Sequence, residues 1–135
     1  MTQDERVKAI VAEGYTPRQA AFLVLVTLHS GVCTVRQYCQ FAGISRGQVT
    51  QDFFAELVSR GHAAFTTDST GAFKVFHIFG SALYDAIGEP DNRNRKPVTM
   101  AAAIERVMLL DAVMACQDMT WLATEREKLS HFTTA

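Results

Sequence analysis

The sequence predicts a mainly α-helical domain with one small β-hairpin, followed by an appended helical segment. Three observations carry that expectation: a shared signature at four helix starts, glycines placed where helices should stop, and a change of hydrophobic period after Gly61. The chain has 135 residues, room for one core or for a small domain with an appendage. Hydrophobic residues make up 48% of it, within the normal range of packed domains, which excludes wholesale disorder.

The start signature is a Ser or Thr followed three residues later by Gln or Glu. Four expected helix starts show it: Thr16 with Gln19, Thr34 with Gln37, Ser45 with Gln48, and Thr124 with Glu127. In each, the hydroxyl accepts from a free backbone N–H of the first turn while the longer side chain reaches back. Pro17 follows Thr16 at the first helical position, where its missing N–H costs nothing. Gly14, Gly31, Gly43 and Gly61 stand where the preceding helices end, because glycine enters the left-handed region without a side-chain clash. Helices are therefore expected over residues 3–13, 17–30, 35–42 and 46–60.

Between the second and third helices, "GVC" leaves room for only a very short strand. After Gly61 the runs "HAAFTT" and "AFKVFHIF" are short, aromatic and β-branched, with the turn signal "DSTG" between them, and so form a hairpin. "SALYDAIG" is a short helix ending at Gly88. "EPDNRNRKP" is polar, charged and bounded by prolines, the composition of a linker. Residues 1–88 thus form a domain with an extra N-terminal helix, 89–98 a linker, and 99–135 a C-terminal helical segment used for packing or dimerisation.

Composition narrows the function by exclusion. The net charge is −1, from 13 basic and 14 acidic residues, so nothing marks the whole chain as a polyanion binder. Residues 34–80 carry four cations against three acids and residues 81–135 six against eight, too small an asymmetry to identify a partner. Cys33, Cys39 and Cys116 form no zinc spacing and read as small thiols in a reducing cytosol. His62 and His77 are placed to meet across the hairpin, but two imidazoles without a third ligand do not make a metal site. No phosphate loop, nucleophile elbow or paired-carboxylate motif is present, so no enzyme and no cofactor is expected. The opening "MTQDERVKAI" is charged where a signal peptide would be apolar, and the run "AAFLVLV" is too short to span a bilayer. A cytoplasmic protein without a membrane segment is expected.

Helix, short strand, helix, tight turn, helix, hairpin is an order with a known counterpart. Residues 16–88, and in particular "TVRQYCQFAGISRGQVTQDFFAELVSRGH", resemble the winged helix-turn-helix superfamily, with Gly43, Ile44 and Ser45 in the turn. "KVFHIFGSALYDAIG" is similar to the passage from the last wing strand into a helix in MarR-like and PadR-like bacterial regulators. The resemblance implies double-stranded DNA binding, as a prokaryotic transcriptional regulator or a DNA-binding accessory protein of a mobile genetic element.

The residues allow an independent reading of that helix. At about 100° per residue, Val49, Phe53 and Leu57 fall on one face, flanked by Phe54 and Val58. Gln48, Gln51, Asp52, Ala55 and Ser59 take the other. Ser45 starts the helix, and Arg46, Gln48, Thr50 and Gln51 are offered at its N-terminus, where free N–H groups favour phosphate. Arginine can pair with guanine and glutamine with adenine in the major groove. Thr34 and Arg36 are expected to hold backbone phosphates, which position the protein without reading sequence, and Lys74 to reach the adjacent backbone.

Only three or four cations serve this surface, so one copy should bind weakly and two should be needed. In "MAAAIERVMLLDAVMAC" apolar residues cover more than one stripe, which points to burial on several sides. The helix either builds a homodimer, with Trp121 and Leu122 alongside, or folds back on its own domain. Two alternatives stay open for the whole: a winged helix that contacts protein rather than DNA, and the N-terminal DNA-binding part of a longer protein.

Overall fold

The computed structural model of the protein describes residues 1–116. Helices α1 (Gln3–Ala12) and α2 (Pro17–His29) are followed by strand β1 (Val32–Cys33) and helices α3 (Val35–Ala42) and α4 (Gln48–Ser59). Strands β2 (Ala63–Thr67) and β3 (Lys74–Ile78) precede helix α5 (Ser81–Ala86) and a 3-10 turn at Arg93–Arg95. A helix over residues 100–116, α6, closes the described part. The protein is mainly helical, with a small antiparallel sheet in the order β1-β3-β2. Among the described residues no helix is long and apolar enough to cross a membrane.

Local chemistry explains most boundaries. Thr16 caps α2 with Gln19, and Thr34 caps α3 with Gln37, each as a reciprocal box. A further box, Thr2 with Glu5, starts α1, and the Thr99 hydroxyl accepts from the Ala102 N–H at the start of α6. The glycines expected at helix ends do adopt positive φ. At Gly31 the requirement is doubled, since a Cβ there would lie 2.7 Å from the Asn94 carbonyl oxygen.

The start of α4 differs from the sequence expectation. Ser45 is not its cap; Gly47 is. The Thr50 hydroxyl accepts from the Gly47 N–H at 3.0 Å and donates to the Gly47 carbonyl at 2.8 Å. This moves the helix start and turns its faces. Thr50, Phe53, Phe54 and Leu57 are buried, at helical spacings of three, four and seven. Val49, expected in the core, is 68% exposed.

The core is built around α2, which buries Ala20 and Phe22 through Thr27 and is enclosed on nearly every side. A chain of aromatic contacts leads outward from it. Phe22 meets Tyr38 at 5.1 Å between ring centroids, Tyr38 meets Phe53 at 4.7 Å, and Phe54 meets Phe76 at 4.5 Å. These edge-on and tilted pairs lock α3, α4 and the sheet together beyond what area alone would do. Phe65, its ring centroid 5.9 Å from that of Phe76, is 49% exposed at the end of that chain.

His62 and His77 do not meet. His77 stands opposite Ala64 and its Nε2 donates to the Asn94 carbonyl at 2.7 Å, while His62 Nδ1 lies 2.6 Å from the Tyr15 hydroxyl. Among the described residues no group of acids, histidines or cysteines is arranged to hold a metal. Residues 89–98, expected as a linker, are packed down. Asn94 is buried and its amide donates to the Thr27 carbonyl at 3.0 Å. Helix α6 folds back on the same core, contributing Leu110 and Met114. The expected helix start at Thr124, and Trp121 and Leu122, lie outside the described residues.

The two faces assigned to α4 make opposite demands on neighbouring positions. Thr50→Val, which keeps the shape and removes the capping hydroxyl, should cost about 1 kcal/mol. Val49→Thr should stay within about 0.5 kcal/mol. Urea unfolding of both variants checks this, and the reverse order would restore Val49 to the core.

Candidate nucleic-acid interface

The residues singled out for DNA contact divide by exposure. Arg36, Ser45, Arg46, Gln48, Gln51 and Lys74 are exposed. Thr34 is 7% exposed and Thr50 not at all. Both hydroxyls are spent inside the protein, Thr34 on the Gln37 N–H and Thr50 on Gly47. They shape the surface and offer it no polar group.

Three cations gather where the first turns of α3 and α4 approach the start of β3. Arg36, Arg46 and Lys74 line one concavity of about 170 Å³, together with Thr34, Val35 and Phe73. Two helix N-termini border this space, so their free N–H dipoles add to the positive potential. Among the described residues Arg46 makes no ion pair or hydrogen bond. Along α4, Gln48 donates to Asp52 at 2.7 Å, which engages one carboxylate oxygen and leaves the Gln48 carbonyl as an acceptor. Glu56 is paired with Arg60 at 3.0 Å, so it faces the flank with its charge already matched.

Beside the cations runs a wider groove between α4 and the hairpin, about 450 Å³ in volume. Gln51 and Ser59 form its helical rim, while Phe54, Val58, Phe65 and Phe76 make its floor apolar. Lys74 crosses it with its ammonium 4.0 Å from the Phe65 ring centroid and 5.2 Å from that of Phe76. The rings hold the cation over the groove while its charge stays available.

Arg36 is not a free cation. Its Nη2 donates to both carboxylate oxygens of Asp111 in α6, at 3.0 and 3.3 Å, a charge-assisted contact. The same carboxylate accepts at 2.9 Å from Gln37, whose side chain is fully buried and also donates to the Val107 carbonyl at 2.8 Å. Burial alone would raise the Asp111 carboxyl, but the bonds from Gln37 and Arg36, with the Arg36 charge, outweigh it and hold it below the ordinary value. In the sequence alone Asp111 is indistinguishable from an acid on the solvated side of its helix. Its partners are distant in the chain, and no local pattern marks them.

Removing the carboxylate should strand one N–H of a buried amide. Asp111→Ala is therefore expected to cost about 1–3 kcal/mol, seen as a lowered urea midpoint. Because the folded carboxyl titrates below its unfolded value, its contribution is complete above about pH 4 and is lost as pH falls through the folded value. Asp111→Asn should flatten the acid limb of stability against pH in that window; an unchanged limb would show that the pair adds nothing.

No protein-family model matches the chain, and neither a curated protein nor a solved structure matches it.

Proposed function

We propose that residues 1–88 form a winged helix-turn-helix that binds double-stranded DNA, with α3 and α4 as the helix-turn-helix pair and β2–β3 as the wing. The observation that carries this reading is the convergence of Arg36, Arg46 and Lys74 on the space between two helix N-termini and the hairpin. Phosphates would be held there, and Gln48 and Gln51 on the exposed face of α4 would reach base edges. The role is that of a prokaryotic cytoplasmic transcriptional regulator or a mobile-element accessory protein, acting by binding and not by catalysis.

Two copies are part of the proposal. One copy supplies too few cations for tight binding, and α6 leaves Ile104, Met108 and Leu109 exposed at 41%, 65% and 47%. An apolar stripe of that kind on a helix already packed against its own core suits an isologous contact. A second reading, docking of a protein segment, is favoured by the apolar floor of the groove at Phe54, Phe65 and Phe76.

Binding to a mixed-sequence duplex, followed by fluorescence anisotropy as salt is raised, tests the proposal. The slope of log affinity against log salt should be about −3 for one copy and about −5 for two. Arg46→Ala should weaken binding uniformly across sequences and reduce the slope by about 1 per copy. No binding at low salt would overturn the DNA reading in favour of protein docking. Light scattering at micromolar concentration decides the dimer, which a monomer mass would remove.

A further inference from the structure

The sheet has two faces, and the cation-lined groove uses only one. Phe65 with Phe76 and Thr67 with Lys74 pair on the α4 side, so Ala64 with His77 and Thr66 with Val75 face the other way. That second face is covered unevenly. Ala103 and Val107 of α6 close over Val32 and Val75, whereas Ala64 and Thr66 on the edge strand remain exposed. Their small side chains leave a trough of about 430 Å³, walled by Pro97, Val98 and Ala103 and ended by Phe79 and Arg95. Its volume falls in the range of small-molecule sites, which are mostly apolar with a few placed polar groups.

The polar group here is Arg95. Its Nε donates to the Phe79 carbonyl at 3.2 Å and its Nη1 to the Pro90 carbonyl at 2.8 Å. Two neutral carbonyls fix the guanidinium without cancelling its charge. Among the described residues no carboxylate pairs with it and its Nη2 makes no hydrogen bond. His77 adds no competing anion, and its Nε2 proton is already committed to the Asn94 carbonyl. A preorganised, uncompensated cation at the end of an apolar trough selects a molecule with one anionic end and an apolar body.

We propose that this trough binds a small organic carboxylate, its apolar body against Val75, Val98 and Ala103 and its carboxylate on the free edge of the Arg95 guanidinium. The site is independent of the DNA reading, since it lies on the opposite sheet face and uses none of the same residues.

Amide NMR of the full chain, titrated with hexanoate and with benzoate, tests it. Saturable shifts are expected at Ala64, Thr66, Val98 and Ala103. Hexan-1-ol and benzyl alcohol, matched in body but uncharged, should bind at least about tenfold more weakly, the loss expected for one charge-assisted contact. Ala64→Leu should fill the trough and abolish the shifts while leaving the rest of the spectrum in place. Thr66→Leu offers a second block at another exposed position should the first variant not fold. The proposal is overturned by the absence of saturable shifts with both acids, by equal binding of the alcohols, or by unchanged binding in a folded blocking variant.

Discussion

One buried amide, Gln37, holds together the two halves of this protein's surface chemistry. Its carbonyl oxygen accepts from the Thr34 N–H and so starts α3. Its amide nitrogen donates to α6 at Val107 and Asp111. A fully buried side-chain amide is tolerated only when every one of its groups is matched, so the start of one helix and the seat of another are satisfied by the same residue. Displacing α6 would leave the amide unpaired and release Arg36 from Asp111 at once. The position of α6 and the charge offered beside the α4 N-terminus are therefore physically linked.

The rest of the architecture follows from how little space that arrangement leaves. Helix α2 is enclosed by helices and sheet, and the ring contacts from Phe22 to Phe76 carry the packing outward to the hairpin. The segment after α5 cannot wander, because Asn94 is clamped between Thr27 and His77 and lies against Gly31. Among the described residues the hairpin stays open on both sides, on its α4 face under Lys74 and on its opposite face beyond the reach of α6.

Elements governed by local rules were legible in the sequence. The boxes at Thr16 and Thr34 and the turn at Gly43 depend on residues three or four apart, and the structure contains them. The frame of α4 was not, because hydropathy ranks Val49 above Thr50. Thr50 is the better buried residue here because its hydroxyl is consumed by the backbone of Gly47, which leaves a methyl to pack. Ser45 with Gln48 fitted the same start pattern, and nothing local distinguishes a box that forms from one displaced by a neighbour. Asn94 and Asp111 carry no signal either, since a polar side chain docked on a distant carbonyl or amide looks in sequence like a solvated one. Of the candidate site, the exposed cations were legible by residue type and position; the pairing of Arg36 and the burial of Thr34 and Thr50 required tertiary contacts.

The Gln37–Asp111 bond spans 74 positions of chain, and that separation has a kinetic meaning. Contacts closed across long stretches cost more chain entropy than local ones and tend to form after them. During synthesis, the residues of α3, α4 and the hairpin are all joined to the chain before residue 111. Chain order thus lets α3 and α4 form before α6 reaches them, and until α6 docks the Gln37 amide nitrogen is bonded to water and not to Val107 and Asp111.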